Sequence, residues 1–206
     1  MTIDFDVQVV LDRSGSMEDS WNSTLSGLNK YVIKLANKDG IKAKITLMTF
    51  SSEGMETIRQ MVPAKIFAAV TARDISPSGN TPLFDAIGRG IEDLRNRLSD
   101  HRKALLVMTD GEENASQIYT GEAVKAMIES ARKDDWLLMY LGAGHDAAAQ
   151  AEALGFDPAH TGQYSKSATK ATFDVAAENM GSYAKTGKPS SGALTSAQRQ
   201  IMLDEF

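Results

Sequence analysis

Four apolar runs of strand length recur along the chain, at residues 3–11, 43–50, 103–109 and 136–141. Three of them lead through a polar turn into a segment of helical period. The first run alternates through Ile3, Phe5, Val7 and Val9 and then becomes continuously apolar at Val9, Val10 and Leu11. That is the pattern of a central strand covered on both faces. Trp21, Leu25, Leu28, Val32 and Leu35 follow at helical spacing and stop before Gly40. Val124, Met127, Ile128 and Ala131 mark an amphipathic helix over 121–133, and an alanine-rich helix over 147–154 is closed by Gly155. Strands and helices in alternation bury both faces of a parallel sheet, so the predicted fold class is α/β. The architecture expected is doubly wound and Rossmann-like, mostly parallel, with helices on both faces. Residues 55–61, joined to 43–50 by Ser51-Ser52-Glu53-Gly54, supply one antiparallel edge strand. Residues 65–70 read as a short helical turn and 160–163 as a short strand. The last full helix spans 169–184, with Phe173, Ala176, Met180 and Tyr183 on one side.

In an open α/β sheet, ligands gather beyond the carboxyl ends of the strands. The first strand ends in Asp12-Arg13-Ser14-Gly15-Ser16, which points three oxygen side chains the same way off one turn. Gly15 is expected to let the turn tighten without a Cβ in the way. Hard cations such as Mg²⁺ take oxygen ligands in a near-octahedral shell at about 2.0–2.1 Å, and oxygen is what this turn offers. No Gly-x-Gly-x-x-Gly follows the strand, which argues against a dinucleotide. The run 103–109 ends in Thr109-Asp110-Gly111, so Asp110 occupies the place on its strand that Asp12 has on the first. Between them, Ser78-Gly79-Asn80-Thr81-Pro82-Leu83 opens a helix. Thr81 reads as its N-cap and Pro82 as its first residue. Leu83, Ile87, Ile91, Leu94 and Leu98 form the stripe of that helix. A hydroxyl can cap and also face an ion, so both roles stand for Thr81. Asp85, one turn on, reads either as a support behind the ion's ligands or as a structural acid with a buried partner. Glu112, Glu113 and Asn114 read as a solvated acidic loop, or as the rim of the site, and His145 as a loop residue on the same face.

Asp12, Ser14, Ser16, Thr81 and Asp110, in that order, resemble the metal-ion-dependent adhesion site of von Willebrand factor type A domains, over residues 1–185. The resemblance implies an antiparallel edge hairpin at residues 43–61. It also implies a Mg²⁺, Mn²⁺ or Ca²⁺ ion held by those five residues, some through water. A carboxylate from an Asp or Glu of a partner protein would complete the shell. The expected function is therefore a metal-dependent protein–protein interaction module, not an enzyme.

Composition narrows the alternatives. The chain has 206 residues, 42% of them hydrophobic, enough for one domain of the larger sort. Cysteine is absent, which removes disulfides and thiolate metal sites. Three unpaired histidines argue against zinc. A net charge of −5 argues against a nucleic-acid surface. No apolar stretch of about 18 residues spans a membrane, and the acidic start Asp4, Asp6 is unlike a secretory signal. A cytoplasmic location follows as an expectation, and with it a likeness to the bacterial or phage members of the family. From residue 186 the composition changes to a flexible linker, Thr186-Gly187-Lys188-Pro189-Ser190-Ser191-Gly192, and then a short amphipathic tail with Ile201, Met202, Leu203 and Phe206. The tail either folds back on the domain or docks on a neighbour. Two other functions remain: a structural or assembly subunit, of a phage particle for example, with an incidental ion, or a metal-assisted hydrolase using His145 and Glu113.

Overall fold

A computed structural model describes residues 2–144 and 146–203. The expected sheet is present. Six strands, β1 (Ile3–Asp12), β2 (Ile41–Ser51), β3 (Gly54–Pro63), β4 (Arg102–Thr109), β5 (Leu137–Ala143) and β6 (Thr161–Tyr164), lie in the order β3-β2-β1-β4-β5-β6. All pairs are parallel except β2 with β3. The longest parallel pairing, β1 with β2, runs in register from Ile3↔Ile41 to Asp12↔Phe50. The β2–β3 hairpin carries register shifts near Leu47, which twist its exposed edge.

Alternate residues of β1 divide between two cores. Phe5, Val7, Val9 and Leu11 pack toward α1 (Trp21–Ala36) and α5 (Thr169–Thr186), while Val10 packs toward α2 (Leu83–Arg95) and α3 (Gly121–Lys133). A strand buried on both faces must be apolar at nearly every position, and the exceptions on β1 are informative. Asp6, Gln8 and Asp12 all share the α2 face with Val10 and are fully buried. Helix α2 approaches β1 closely at Gly90, where a Cβ would meet Val10 Cγ2 at 2.8 Å. Helix α4 (Ala147–Ala153) closes the same layer beside β5 and β6.

Three local expectations change. Helix α2 stops at Arg95, so Leu98 lies beyond its stripe and is fully exposed. Of the turn expected at 65–70, only Ala64–Ile66 is helical, as a single 3-10 turn. The stretch expected as a flexible linker and tail packs against the domain. Pro189–Gly192 forms a 3-10 turn, α6 (Ser196–Leu203) lies against β6 and α5, and Leu194 and Met202 are buried in the core. Ser165 N–H donates to the Met202 carbonyl at 2.9 Å, so the tail is folded back along the β6 edge. Phe206, the last apolar residue expected in the tail, lies outside the described residues.

Candidate metal centre

Asp12 and Thr109 end adjacent parallel strands, since Leu11 pairs with Met108. The neighbouring strand ends put a carboxylate beside a hydroxyl: Thr109 Oγ1 donates to Asp12 Oδ2 at 2.5 Å. The other oxygen, Oδ1, accepts from Ser14 N–H at 2.7 Å, folding the turn back over the strand end. A 3-10 turn, Gly15–Ser20, follows, and the fully buried Met17 anchors it in the core. Ser14 and Ser16 then lie side by side, Oγ to Oγ 3.0 Å, and Ser16 Oγ donates to Asp110 Oδ1 at 2.6 Å. Four of the five expected residues thus form one continuous hydrogen-bonded chain across two strand ends.

Thr81 completes the ring from the loop before α2. Two backbone bonds hold this loop to the first turn: Ser78 N–H to the Arg13 carbonyl at 2.8 Å, and Gly15 N–H to the Gly79 carbonyl at 2.9 Å. Arg13 Nη1 also donates to Ser78 Oγ at 3.2 Å, and Nη2 to the Gly54 carbonyl at 3.3 Å. The Arg13 side chain therefore ties the edge hairpin and the Thr81 loop to the turn. Gly79 has φ of +73°, and a Cβ there would collide with Ser52 Oγ. Gly15, by contrast, needs no such freedom, because a Cβ there would meet only the Gly79 carbonyl at 3.6 Å. The close approach that excludes a side chain is at Gly111, where a Cβ would lie 2.8 Å from Thr81 Oγ1 and 3.6 Å from Ser16 Oγ.

Several roles differ from those expected. Pro82, not Thr81, takes the N-cap position of α2, and Thr81 Oγ1 makes no hydrogen bond among the described residues. Capping comes from far along the chain: Phe84 N–H donates to Glu113 Oε2 at 2.8 Å, and Asp85 N–H to Ser116 Oγ at 3.1 Å. Glu113 also accepts from Ala115 N–H, Ser116 N–H and Ser116 Oγ, so it is a structural acid and not a solvated one. Asp85 makes no bond to the five residues of the ring among the described residues and takes the structural role. Its carboxylate accepts backbone N–H bonds from Gln117, Ile118 and Tyr119 at 2.8–2.9 Å, pinning the loop after Asp110 to α2. Asn114 fixes Thr81 directly: its Oδ1 accepts from Thr81 N–H at 2.8 Å. His145 lies outside the described residues. Thr109 was legible only as part of Thr-Asp-Gly, and Lys166, whose Nζ lies 2.6 Å from Asp110 Oδ2, carried no local signal at all.

The electrostatics of the ring favour a cation. Burial pushes the Asp12 carboxyl above the usual carboxylate range; the bonds from Thr109 and Ser14 oppose the rise, and the Asp110 charge adds to it. Burial and the same two acids raise the Tyr164 phenol beneath them, so it stays neutral. Asp110 Oδ2 is buried and has no hydrogen-bond donor in good geometry; Lys166 gives it charge contact without a well-directed bond. A buried Asp110 oxygen in contact with the Lys166 ammonium but with no well-directed bond, a Thr81 hydroxyl without a hydrogen bond among the described residues, and the absence of a side chain at Gly111 suit a small oxygen-liganded ion. No cluster of three or more carboxylate, imidazole or thiolate groups occurs among the described residues, which fits neither zinc nor a two-metal centre.

A family model described as the von Willebrand factor type A domain matches residues 6–180. The chain belongs to the von Willebrand factor type A family. Solved structures agree on the fold of this type A domain. The pilus adhesin SpaC from Lactobacillus rhamnosus GG superposes with a TM-score of 0.71 at 15% identity, over 88% of this chain and 30% of that one. The vWF domain of the type V pili tip protein Mfa5 from Porphyromonas gingivalis gives 0.66 at 13% identity, over 87% and 96%. Proximal thread matrix protein 1 from the mussel byssus gives 0.62 at 12%, over 87% and 47%. The type A domain here spans 30% of SpaC and 47% of the byssus protein. None of the curated proteins matches it. No helix among the described residues is long and apolar enough to cross a membrane.

Proposed function

We propose that this type A domain holds a divalent cation, Mg²⁺ or Mn²⁺ first and Ca²⁺ as the alternative, with Asp12, Ser14, Ser16, Thr81 and Asp110. When bound, the ion supplies an electrophilic centre that accepts an Asp or Glu carboxylate from a partner protein. The chain's own residues arrange the rest. Asp12 and Asp110 provide the charge, the three hydroxyls fill the shell without neutralising it, and Gly111 keeps the approach to Thr81 and Ser16 open. The observation that carries this reading is the convergence of these oxygens from three separate loops, with Thr81 Oγ1 left unspent.

A groove of about 550 Å³ adjoins the ring between the β2–β3 hairpin and residues 114–118, lined in part by Asn80, Pro82, Arg89, Asn114 and Ile118. It offers a partner further contact area beside the Thr81 loop, through Asn80 and Pro82. Binding is favoured over hydrolysis because Glu113, one of the two candidate bases, spends both oxygens on Phe84, Ala115 and Ser116. Relatives by fold include pilus and thread-matrix proteins, while a chain with no cysteine suits a cytoplasmic, bacterial or phage setting; cell fractionation decides between these locations. Affinity capture with Mg²⁺ and with EDTA tests the function. A partner retained only with the ion, and lost on Asp12→Ala, is the expected result; equal recovery in EDTA supports a structural or assembly subunit with an incidental ion.

A further inference from the structure

Among the described residues, the cationic group in contact with the ring comes from the far end of the chain. Lys166 Nζ lies 2.6 Å from Asp110 Oδ2 and donates to the Ser16 carbonyl at 2.8 Å. It therefore bridges two of the five residues, one through its side chain and one through its backbone. The Asp110 side chain is fully buried and that of Lys166 is 43% exposed, so the ammonium reaches in from the rim.

Its anchor is firm. Ser165 Oγ accepts from Ala168 N–H at 3.2 Å, capping the 3-10 turn that Lys166 begins, and Thr169 Oγ1 donates to the Lys166 carbonyl at 2.7 Å. The folded-back tail supports the same point through the Ser165 N–H bond to Met202. The backbone is thus fixed by α5 and α6, while the four-carbon side chain is free to swing out.

We infer that Lys166 is the site's tethered counter-ion and sets its affinity for the divalent cation by competing for Asp110. The inference rests on the proposed cation site. A metal and an ammonium sharing one carboxylate sit within a few ångströms of each other, and in the weakly screened edge of a protein that like-charge repulsion is large. As the ion binds, Lys166 must leave Asp110 and Ser16. The chain thereby trades a strong ion site for a ring that holds together without one.

Calorimetric titration of the full chain with Mn²⁺ and with Mg²⁺, at fixed ionic strength, tests this on wild type, Lys166→Met and Lys166→Arg. Lys166→Met should bind the ion about tenfold tighter, ~1.4 kcal/mol, and should melt at a lower temperature than wild type in EDTA but not with saturating ion. Lys166→Arg, which keeps the charge, should stay close to wild type. A second measurement needs no variant: acetylation of Lys166 in wild type, followed by peptide mass spectrometry, should accelerate severalfold when Mn²⁺ is added. If wild type binds the ion but Lys166→Met binds it equally or more weakly, or the acetylation rate does not move, the competition is refuted and the cation site stands. If neither protein binds an ion, the cation site itself fails and the inference goes with it.

Discussion

Two buried acids on one strand meet opposite fates. Asp6 and Asp12 both lie on the α2 face of β1, and both are fully buried. Asp6, toward the amino end, is enclosed by groups that can neutralise it. Ser99 Oγ and His101 Nδ1 each lie 3.1 Å from its oxygens, and Arg97 and Lys103 stand close enough to feel its charge. Arg97 in turn donates to Gln8 Oε1 and Thr46 Oγ1, and Lys103 Nζ to the Arg97 carbonyl. Asp12, toward the carboxyl end, receives a hydroxyl and a backbone N–H, and the charge that acts on it is another acid, Asp110. Asp85 shows a third solution, three backbone N–H donors. Burying a carboxylate is costly unless it is paired or fully hydrogen-bonded. Asp6 and Asp85 meet that cost with cationic groups or with several backbone donors, whereas Asp12 and Asp110 face each other with Lys166 as the ammonium in contact, the imbalance that the proposed cation would relieve.

The contrast predicts different dependence on metal. Asp6→Ala should produce the largest loss, about 3–5 kcal/mol, the range for removing one partner of a buried pair. Urea unfolding in Mg²⁺ and in EDTA should give the same loss; a loss that the ion repairs would tie Asp6 to the site and erase the distinction. Next in size is the ion's own effect. At a hundredfold excess over its dissociation constant it should stabilise wild type by about 2.7 kcal/mol and leave Asp12→Ala unmoved. A similar shift in both proteins would mean that the ion binds elsewhere.

Smaller effects separate capping from liganding at α2. Glu113→Ala removes the cap on Phe84 and should cost about 1–2 kcal/mol with or without the ion. Thr81→Val keeps the buried shape, removes an unbonded hydroxyl, and should change ion-free stability by less than about 0.5 kcal/mol while weakening ion binding in calorimetry. Should Thr81→Val destabilise the ion-free protein as much as Glu113→Ala does, the hydroxyl is a structural group after all. The smallest effect is one of pH, in EDTA. Because the folded Asp12 carboxyl titrates above its unfolded value of 3.8, its contribution to stability is complete below that pH and is lost as pH rises through the folded value. Asp12→Asn should lack this loss, so the difference between the two proteins should grow with pH above 4 and level off. A difference independent of pH would show that Asp12 is not the strained acid.

The order of strands and helices and the five residues of the ring were readable along the chain. Period 2 and period 3.6 are local properties, and the strand-end rule converts them into a location for Asp12 and Asp110. Even the antiparallel edge was marked by a short turn between two strand-like runs. The side-chain partners were not readable, because each is a contact between residues far apart in sequence. Thr-Pro before a helix is a sound capping signal, yet Glu113, 29 residues beyond Phe84, supplies the cap. The α2 stripe continued to Leu98 on paper, but the chain leaves the helix at Arg95 and exposes it. A Gly/Ser/Pro-rich stretch looked flexible, and the apolar contacts of Leu194 and Met202 order it. Lys166, 150 residues from Ser16, reaches the ring only because β6 and α5 bring its loop to the strand-end face. Periodicity is set by neighbours in the chain and survives in the sequence; charge balance in a buried site is set by neighbours in space, and only the folded structure decides it.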